Sequence, residues 1–268
     1  MLWRGILLAL ATISSSVSAT DRPIIGILAQ RYYGRGNFSQ NATYIAASYV
    51  KFVELAGARA VPVFINEPED YYVNLFHAVN GILFPGGSAD LVSSGYSRAG
   101  SILYKLALQA NHNNTHFPLW GTCLGFELLT TLTVGTKVLQ ACSSNDQATS
   151  LNMTAAISYP FYAVQFHPEK NSFEWKLDKR HQNIPHSVDA TRLTQYMANF
   201  FVGEARKDDH KFSSPEEESQ SSDLHYDVSY SQGYSAFTRF TSLIVSADLR
   251  NSEVAEGQNG LGKGMNYR

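Results

Sequence analysis

The sequence predicts an α/β fold in which a mostly parallel β-sheet carries helices on both faces. Two observations predict it. Continuous apolar runs, typical of strands buried on both faces, occur at residues 23–29, 60–65, 81–84 and 117–120. Segments with apolar residues at helical spacing alternate with these runs. Strands and helices that alternate in this rhythm form right-handed βαβ units.

The individual elements follow from the same patterns. In chain order we expect strand 23–29, helix 45–56, strand 60–65, helix 71–79, strand 81–84, helix 96–110, strand 117–120 and helix 124–134. Beyond Val134 the order is less regular. Residues 137–142 are a candidate strand and residues 161–166 a strong one, and Ser187 is expected to cap a helix that has an apolar face.

Composition divides the chain into three parts. Residues 20–212 hold the apolar pattern of one sizeable core. Residues 213–268 are acidic and serine-rich at first and then Gly- and Asn-rich, which predicts a poorly ordered tail, although residues 240–245 form one β-like run. Residues 1–19 combine one arginine, an apolar stretch and a small-residue cleavage site, and are therefore predicted to be a secretory signal peptide.

Secretion gives other features of the sequence a meaning. We expect a glycosylated surface, because four Asn-x-Ser/Thr sequons are present, at Asn37, Asn41, Asn113 and Asn152. Two cysteines are too few for a disulfide framework, but a single Cys123–Cys142 bridge remains an alternative. The net charge of −2 gives no basic field for nucleic acid, and no apolar run after the first twenty residues is long enough to span a bilayer.

Three features follow strands of the predicted sheet, at the carboxyl ends where ligands bind in open parallel sheets. They are Gly86-Gly87, Cys123 and His167-Pro168-Glu169. Taken singly, each has a commoner role, as a loop, a buried structural thiol and a solvated turn. Their occurrence at successive strand ends instead favours a reaction site.

Cys123 lies within Gly-Thr-Cys-Leu-Gly, where a strand is expected to turn into a helix. Glycines two residues away on each side permit the sharp turn of a nucleophile elbow. The helix that begins at Leu124 favours the thiolate through its dipole. The N–H groups of Leu124 and Gly87 are expected to bind an oxyanion.

His167 and Glu169 are two residues apart, and Pro168 favours an extended backbone before it, so both side chains are expected on one face. Glu169 then orients the imidazole, which takes the thiol proton and later gives it to a leaving amine. No second Cys/His pair has metal-ligand spacing, so no metal is predicted.

Gly-x-Cys-x-Gly followed by His-Pro-Glu resembles the class I glutamine amidotransferase-like superfamily. The finer resemblance is to the folate γ-glutamyl hydrolases, and it extends over roughly residues 22–207. The segments that carry it are RPIIGILAQ, YIAASYVKFVELAGARAVPV, NGILFPGGSADL, FPLWGTCLGFELL, YAVQFHPEKNSFEWK and FFVGEARK.

The resemblance implies a three-layer α/β/α sandwich, usually a homodimer, that is secreted or lysosomal. It implies that Cys123 is the nucleophile, His167 the proton donor and Glu169 the orienting carboxylate. The activity implied is cleavage of γ-glutamyl bonds in folate and antifolate polyglutamates, with no cofactor.

The chain departs from the family in two places. Only 44 positions separate Cys123 from His167, where family members carry a longer segment with sheet, helix and a substrate-side histidine. The chain after Tyr234 also differs from the family C-terminus. The sequence leaves open whether His167 still reaches Cys123.

Cationic groups near the cleft are expected for a substrate that is a chain of carboxylates. The candidate substrate contacts are Arg31, Arg35, Lys170, Lys176 and Trp175, although each cation singly is more typical of a solvated surface. Two other functions stay open. One is a glutamine amidotransferase domain with a synthetase partner, which the signal peptide disfavours, and the other is a non-catalytic or impaired relative.

Overall fold

The structure is a computed structural model that describes residues 20–33, 42–136, 139–140, 159–175, 181–222, 228–230 and 241–245. Several sequence predictions lie outside the described residues. These are the signal peptide at 1–19, the sequons at Asn37, Asn41 and Asn152, and the residues Arg35, Cys142 and Lys176. Of the strand predicted at 137–142, only residues 139–140 are described, and they are not in a strand.

The strands are β1 (Ile24–Leu28), β2 (Gln30–Arg31), β3 (Thr43–Ala46), β4 (Arg59–Val63), β5 (Gly81–Phe84), β6 (Leu119–Thr122), β7 (Phe161–Val164), β8 (Val228–Tyr230) and β9 (Thr241–Val245). The helices are α1 (Ala47–Glu54), α2 (Glu69–Phe76), α3 (Gly95–His112), α4 (Leu124–Val134), α5 (Lys170–Phe173), α6 (Val188–Ala205) and α7 (Pro215–Ser221).

The central sheet has five parallel strands in the order β4-β1-β5-β6-β7. One apolar cluster fills the face under α2, α3 and α4, and includes Phe76, Leu103 and Leu128. A second cluster fills the opposite face under α1 and α6, and includes Phe52 and Phe201. The protein is therefore a three-layer α/β/α sandwich with a parallel central sheet, as the sequence predicts.

Two bounds differ from the sequence prediction in ways that bear on the site. Residues 45–46 are the end of strand β3, so helix α1 begins only at Ala47. Strand β6 is Leu119–Thr122 rather than 117–120, since it pairs with β5 at Trp120 and with β7 up to Thr122. The later strand end places the strand-to-helix turn at Cys123.

Part of the segment that composition assigns to a poorly ordered tail has regular structure. Helix α7 begins after Ser214, whose side chain accepts a hydrogen bond from the N–H of Glu217, and Pro215 with three glutamates fills its first turn. Glu218 pairs with Arg22 and Arg59. Such caps and ion pairs order a helix without apolar residues, so composition alone does not predict it.

Strands β8 and β9 also lie in that segment. They form a second, antiparallel sheet in the order β2-β3-β9-β8, in which Thr43 pairs with Val245. The β-like run expected at residues 240–245 is therefore a strand. Among the described helices, none combines the length and apolar content that a membrane crossing requires.

Candidate active site

Cys123 lies at the turn between β6 and α4, with φ of 52° and ψ of −107°. A positive φ is costly for a residue with a side chain, and such strain is a common feature of functional sites. The backbone N–H of Cys123 donates to the carbonyl of Val164 at 2.8 Å, which ties the turn to β7. The Cys123 thiol is free and partly exposed, so Cys123 is not in the disulfide that the sequence left as an alternative.

The two flanking glycines are required by close backbone approaches. A Cβ atom at Gly121 would lie 2.6 Å from the carbonyl oxygen of Gly125. A Cβ atom at Gly125 would collide with the carbonyl oxygen of Phe84 on the neighbouring strand. Helix α4 can therefore begin directly against the sheet, with its N-terminus beside the thiol.

The loop after β5 packs against both Cys123 and His167. A Cβ atom at Gly86 would lie 2.6 Å from His167 Cε1 and 3.1 Å from Cys123 Cβ. Gly86 is therefore in close contact with both side chains. Its N–H donates to the hydroxyl of Tyr49 at 2.8 Å and is occupied.

Side chains from other elements hold this loop. The carbonyl of Gly86 accepts from Gln30 Nε2 at 2.8 Å, and the carbonyl of Pro85 accepts from the Tyr96 hydroxyl at 2.8 Å. Within the described residues, the N–H groups of Gly87 and Leu124 have no hydrogen-bond acceptor. Both remain available as donors to an oxyanion.

His167 lies between the thiol and a buried carboxylate. Its Nδ1 atom is 2.7 Å from Oε1 of Glu169, which is only 1% exposed. Burial alone lowers the pKa of His167, but the charge of Glu169 and the interactions of the ring with the Cys123 and Glu169 side chains raise the pKa to about 9. The imidazole is therefore held in its protonated form near neutral pH.

Other helices support the turn that carries His167 and Glu169. The carbonyl of Pro168 accepts a hydrogen bond from the Thr194 hydroxyl of α6 at 2.6 Å. Helix α1 supplies Tyr49, whose hydroxyl lies 3.3 Å from His167 Nδ1. The described residues thus bring together Cys123, His167 and Glu169 across the shortened middle of the chain.

The predicted substrate contacts lie in different settings. The ammonium of Lys170 is 3.7 Å from Oε2 of the buried Glu174. Trp175 is 64% exposed and stacks on His186 with ring centroids 3.8 Å apart. The guanidinium of Arg31 lies 5.6 Å from the ring centroid of Tyr33.

Sequence reasoning missed several residues of the site. Tyr49 was expected only as an apolar face residue of its helix, and nothing in the local pattern distinguishes its hydroxyl. Gln165 donates to Glu127 Oε1 at 3.0 Å, and its Nε2 lies 3.9 Å from Cys123 Sγ. A polar Gln in the apolar run 161–166, just before His-Pro-Glu, is a usable signal.

These features define a class of protein: a class I glutamine amidotransferase-like α/β fold whose site has the arrangement of a cysteine hydrolase. Within the described ranges, no group of three or more His, Cys, Asp or Glu side chains is placed to hold a metal ion.

Comparison with known proteins gives the family. The Peptidase C26 family matches residues 23–152, which include Gly87 and Cys123 but end before His167. The γ-glutamyl hydrolase of Homo sapiens is 35% identical and the one of Mus musculus 33%, each alignment covering 81% of this chain and 88% of the relative. γ-Glutamyl hydrolase 1 of Arabidopsis thaliana is 30% identical over 76% of this chain and 77% of its own. The chain belongs to the γ-glutamyl hydrolase family and is a hydrolase.

The same comparison bears on the shortened middle segment. The alignment with the mouse relative has 288 positions, yet it covers 81% of a chain of 268 residues, which is about 217 residues. About 70 aligned positions (288 less 217) therefore have no residue in this chain. This agrees with the short distance between Cys123 and His167 along the sequence.

Proposed function

We propose that this protein hydrolyses the γ-glutamyl bonds of folate and antifolate polyglutamates through an acyl-enzyme on Cys123. The observation that carries the proposal is that His167 and Cys123 lie against the same glycine, Gly86, although the segment between them is short. The family relatives, which are named for γ-glutamyl hydrolysis, support the bond type.

In the first step the Cys123 thiolate attacks the carbonyl carbon of the γ-glutamyl amide. The resulting oxyanion accepts hydrogen bonds from the N–H groups of Gly87 and Leu124. The His167 imidazolium then gives its proton to the amide nitrogen, and the C–N bond breaks. The fragment that carries the new amine leaves. A thioester between Cys123 and the γ-carbonyl remains.

In the second step His167, now neutral, takes a proton from water as the water oxygen attacks the thioester carbon. The C–S bond breaks, the γ-carboxylic acid product leaves and gives its remaining proton to the released amine or to solvent, and the thiolate–imidazolium pair is restored. In both steps Glu169 fixes the ring and stabilises the imidazolium. The raised pKa of His167 fits the first step, which begins from the protonated ring.

The substrate class follows from charge and from the family. Each γ-linked glutamate carries a free α-carboxylate, so cations are needed along the cleft. Lys170, Arg31 and Arg35 are the proposed cations, and Trp175 is the proposed aromatic contact. We further propose that the chain is secreted or lysosomal, glycosylated and homodimeric, on the basis of the signal peptide, the sequons and the family.

A panel of three substrates tests the proposal. The purified chain without residues 1–19 would be given a folate polyglutamate, free glutamine and an α-linked diglutamate, and released glutamate would be measured. Release from the γ-linked folate alone is the expected result. Release from glutamine alone would replace the proposal with a glutaminase, and release from none would favour an inactive relative.

The inactive relative is a second candidate because of one specific observation. About 70 positions that the mouse relative aligns have no residue here, and the expected substrate-side histidine has no counterpart in the sequence. In that case the chain still binds folate polyglutamate in an equilibrium assay but releases no glutamate. Binding without turnover would identify it.

A further inference from the structure

Glu174 is a second buried carboxylate close to the catalytic turn, and the proposed mechanism gives it no role. It is 0% exposed and directly follows α5, five residues after Glu169. Its Oε1 accepts a hydrogen bond from the Ser48 hydroxyl of α1 at 2.9 Å. Ser48 is the neighbour of Tyr49, so Glu174 ties the His-Pro-Glu turn to the helix that contacts both His167 and Gly86.

The charges around Glu174 form one compact set. Its Oε2 lies 3.7 Å from the Lys170 ammonium and accepts no hydrogen bond within the described residues. Glu169 repels it, while His167 and Lys170 attract it. Burial and Glu169 raise the pKa of Glu174, and the Lys170 charge lowers it, with burial dominant.

Titratable and charged groups of the neighbouring elements also lie near this turn. His167 faces Cys123 at the start of α4, Tyr49 on α1, and Glu169 and Lys170 on its own turn. On α6, Asp189 and Arg192 pair with each other at the exposed surface. Within the part of the chain that the structure describes, Lys170 is a cation that acts on both His167 and Glu174.

Glu169 has an oxygen that a cation could use. Its Oε1 binds His167, but its Oε2 is buried and accepts no hydrogen bond within the described residues. Lys170 is the next residue in the chain. A Lys170 ammonium that turned towards Glu169 would compete with the imidazolium for the same carboxylate and would repel it.

We propose that Glu174 is a positioning residue of the catalytic site, whose buried carboxylate holds the Lys170 ammonium and thereby keeps Glu169 for His167. Among the described residues, two carboxylates and two cations thus lie close together here. Removing the charge of Glu174 alone takes one negative charge away from beside Lys170 and His167. This role deepens the proposed hydrolase mechanism and rests on it for its catalytic meaning.

The test follows the His167 ring directly and needs no substrate. The ring proton of His167 would be titrated by NMR in the full mature chain, with its signal assigned by its loss in His167→Asn. Glu174→Gln keeps the shape and an oxygen acceptor for Ser48, and is expected to lower the pKa of His167 by about one unit. Glu216→Gln, which removes an exposed carboxylate of α7, is the matched control and leaves the titration unchanged.

A double variant separates charge from structure. Glu174→Gln with Lys170→Met removes both members of the pair. It should return the pKa of His167 to within about 0.3 unit of its value in the unsubstituted chain, a difference much smaller than the shift expected from the loss of one charge. If Glu174 only shapes the fold, the single and double variants both titrate as the unsubstituted chain does, and the proposal is overturned. If the single variant does not fold, the double variant decides alone: a double variant that unfolds too, or titrates lower, contradicts the proposal.

Activity is measured in parallel. In the single variant the alkaline limb of kcat/KM should move to lower pH by the same amount, and in the double variant it should return. An unsubstituted chain that releases no glutamate would overturn the proposed function, while the NMR titration would still decide the role of Glu174.

Discussion

The Nδ1 atom of His167 lies 2.7 Å from Oε1 of Glu169, which is almost completely buried. A charge-assisted contact of this length fixes both the orientation of the ring and the nitrogen that faces the thiol. His167 would otherwise sit on a turn connected to the elbow by a much shortened segment. Its position therefore depends on Glu169 and on the helices that hold the turn.

Replacing Glu169 by Gln should reduce kcat by about 100-fold or more, because the amide neither stabilises the imidazolium nor selects the tautomer. The pKa of His167 should fall as well, since Glu169 is its main source of stabilisation. Steady-state kinetics between pH 5 and 10 would show both effects. Glu216→Gln on the exposed face of α7 should change neither, and a Glu169→Gln chain with full kcat would contradict the assigned role.

The raised pKa of His167 has a consequence for stability. The pKa rises from its ordinary value of 6.5 to about 9 in the folded protein, so the folded state binds the proton more tightly than the unfolded chain does. This contribution is fully present below pH 6.5 and is lost as pH rises through 9. Thermal unfolding at pH 6 and pH 10 should show a larger loss for the unsubstituted chain than for His167→Asn. Equal losses would contradict the raised pKa.

Gly125→Ala tests the contact that lets α4 begin at the sheet. The added Cβ would collide with the carbonyl oxygen of Phe84, so the variant should lose about 1–3 kcal/mol of the free energy of unfolding. Gly203→Ala, inside α6, is the control because nothing lies within 4 Å of its Cβ position. It should gain about 0.5–1 kcal/mol. Chemical denaturation of both variants would check the pair, and a Gly125→Ala chain as stable as its control would refute the close approach.

Tyr49→Phe tests the loop after β5. The substitution leaves the buried N–H of Gly86 without its acceptor, at a cost of about 1–3 kcal/mol, and removes a contact with His167. Both stability and kcat should fall. Tyr72→Phe removes another buried hydroxyl, which accepts from the N–H of Glu67, and should lower stability while kcat stays unchanged. Equal effects of the two substitutions on kcat would show that Tyr49 has no part in positioning the site.

Much of the fold could be predicted from the sequence because its signals are local. Apolar runs predicted the strands of the central sheet. The glycines around Cys123 predicted a strand-to-helix turn, and the structure places that turn at Cys123. The pairing of β9 with β3 could not be predicted, since it joins residues about 200 positions apart. No periodicity encodes such a contact.

The candidate site likewise contains some residues that the local sequence predicts and others that it does not. Cys123, His167 and Glu169 carry motif signals in their immediate neighbours. Tyr49 and Glu174 do not, because one looks like a core aromatic of a helix and the other like a surface charge. Their roles depend on where α1 packs against the turn after β7, which only the folded chain determines.

The central claim is that Cys123 attacks a γ-glutamyl carbonyl with His167 as its proton donor. The most direct measurement is the rate of glutamate release from a folate polyglutamate by the mature chain, beside matched Cys123→Ala and His167→Asn variants of confirmed fold. We predict steady release by the unsubstituted chain and none above background by either variant. Equal release by the Cys123→Ala chain would contradict the account.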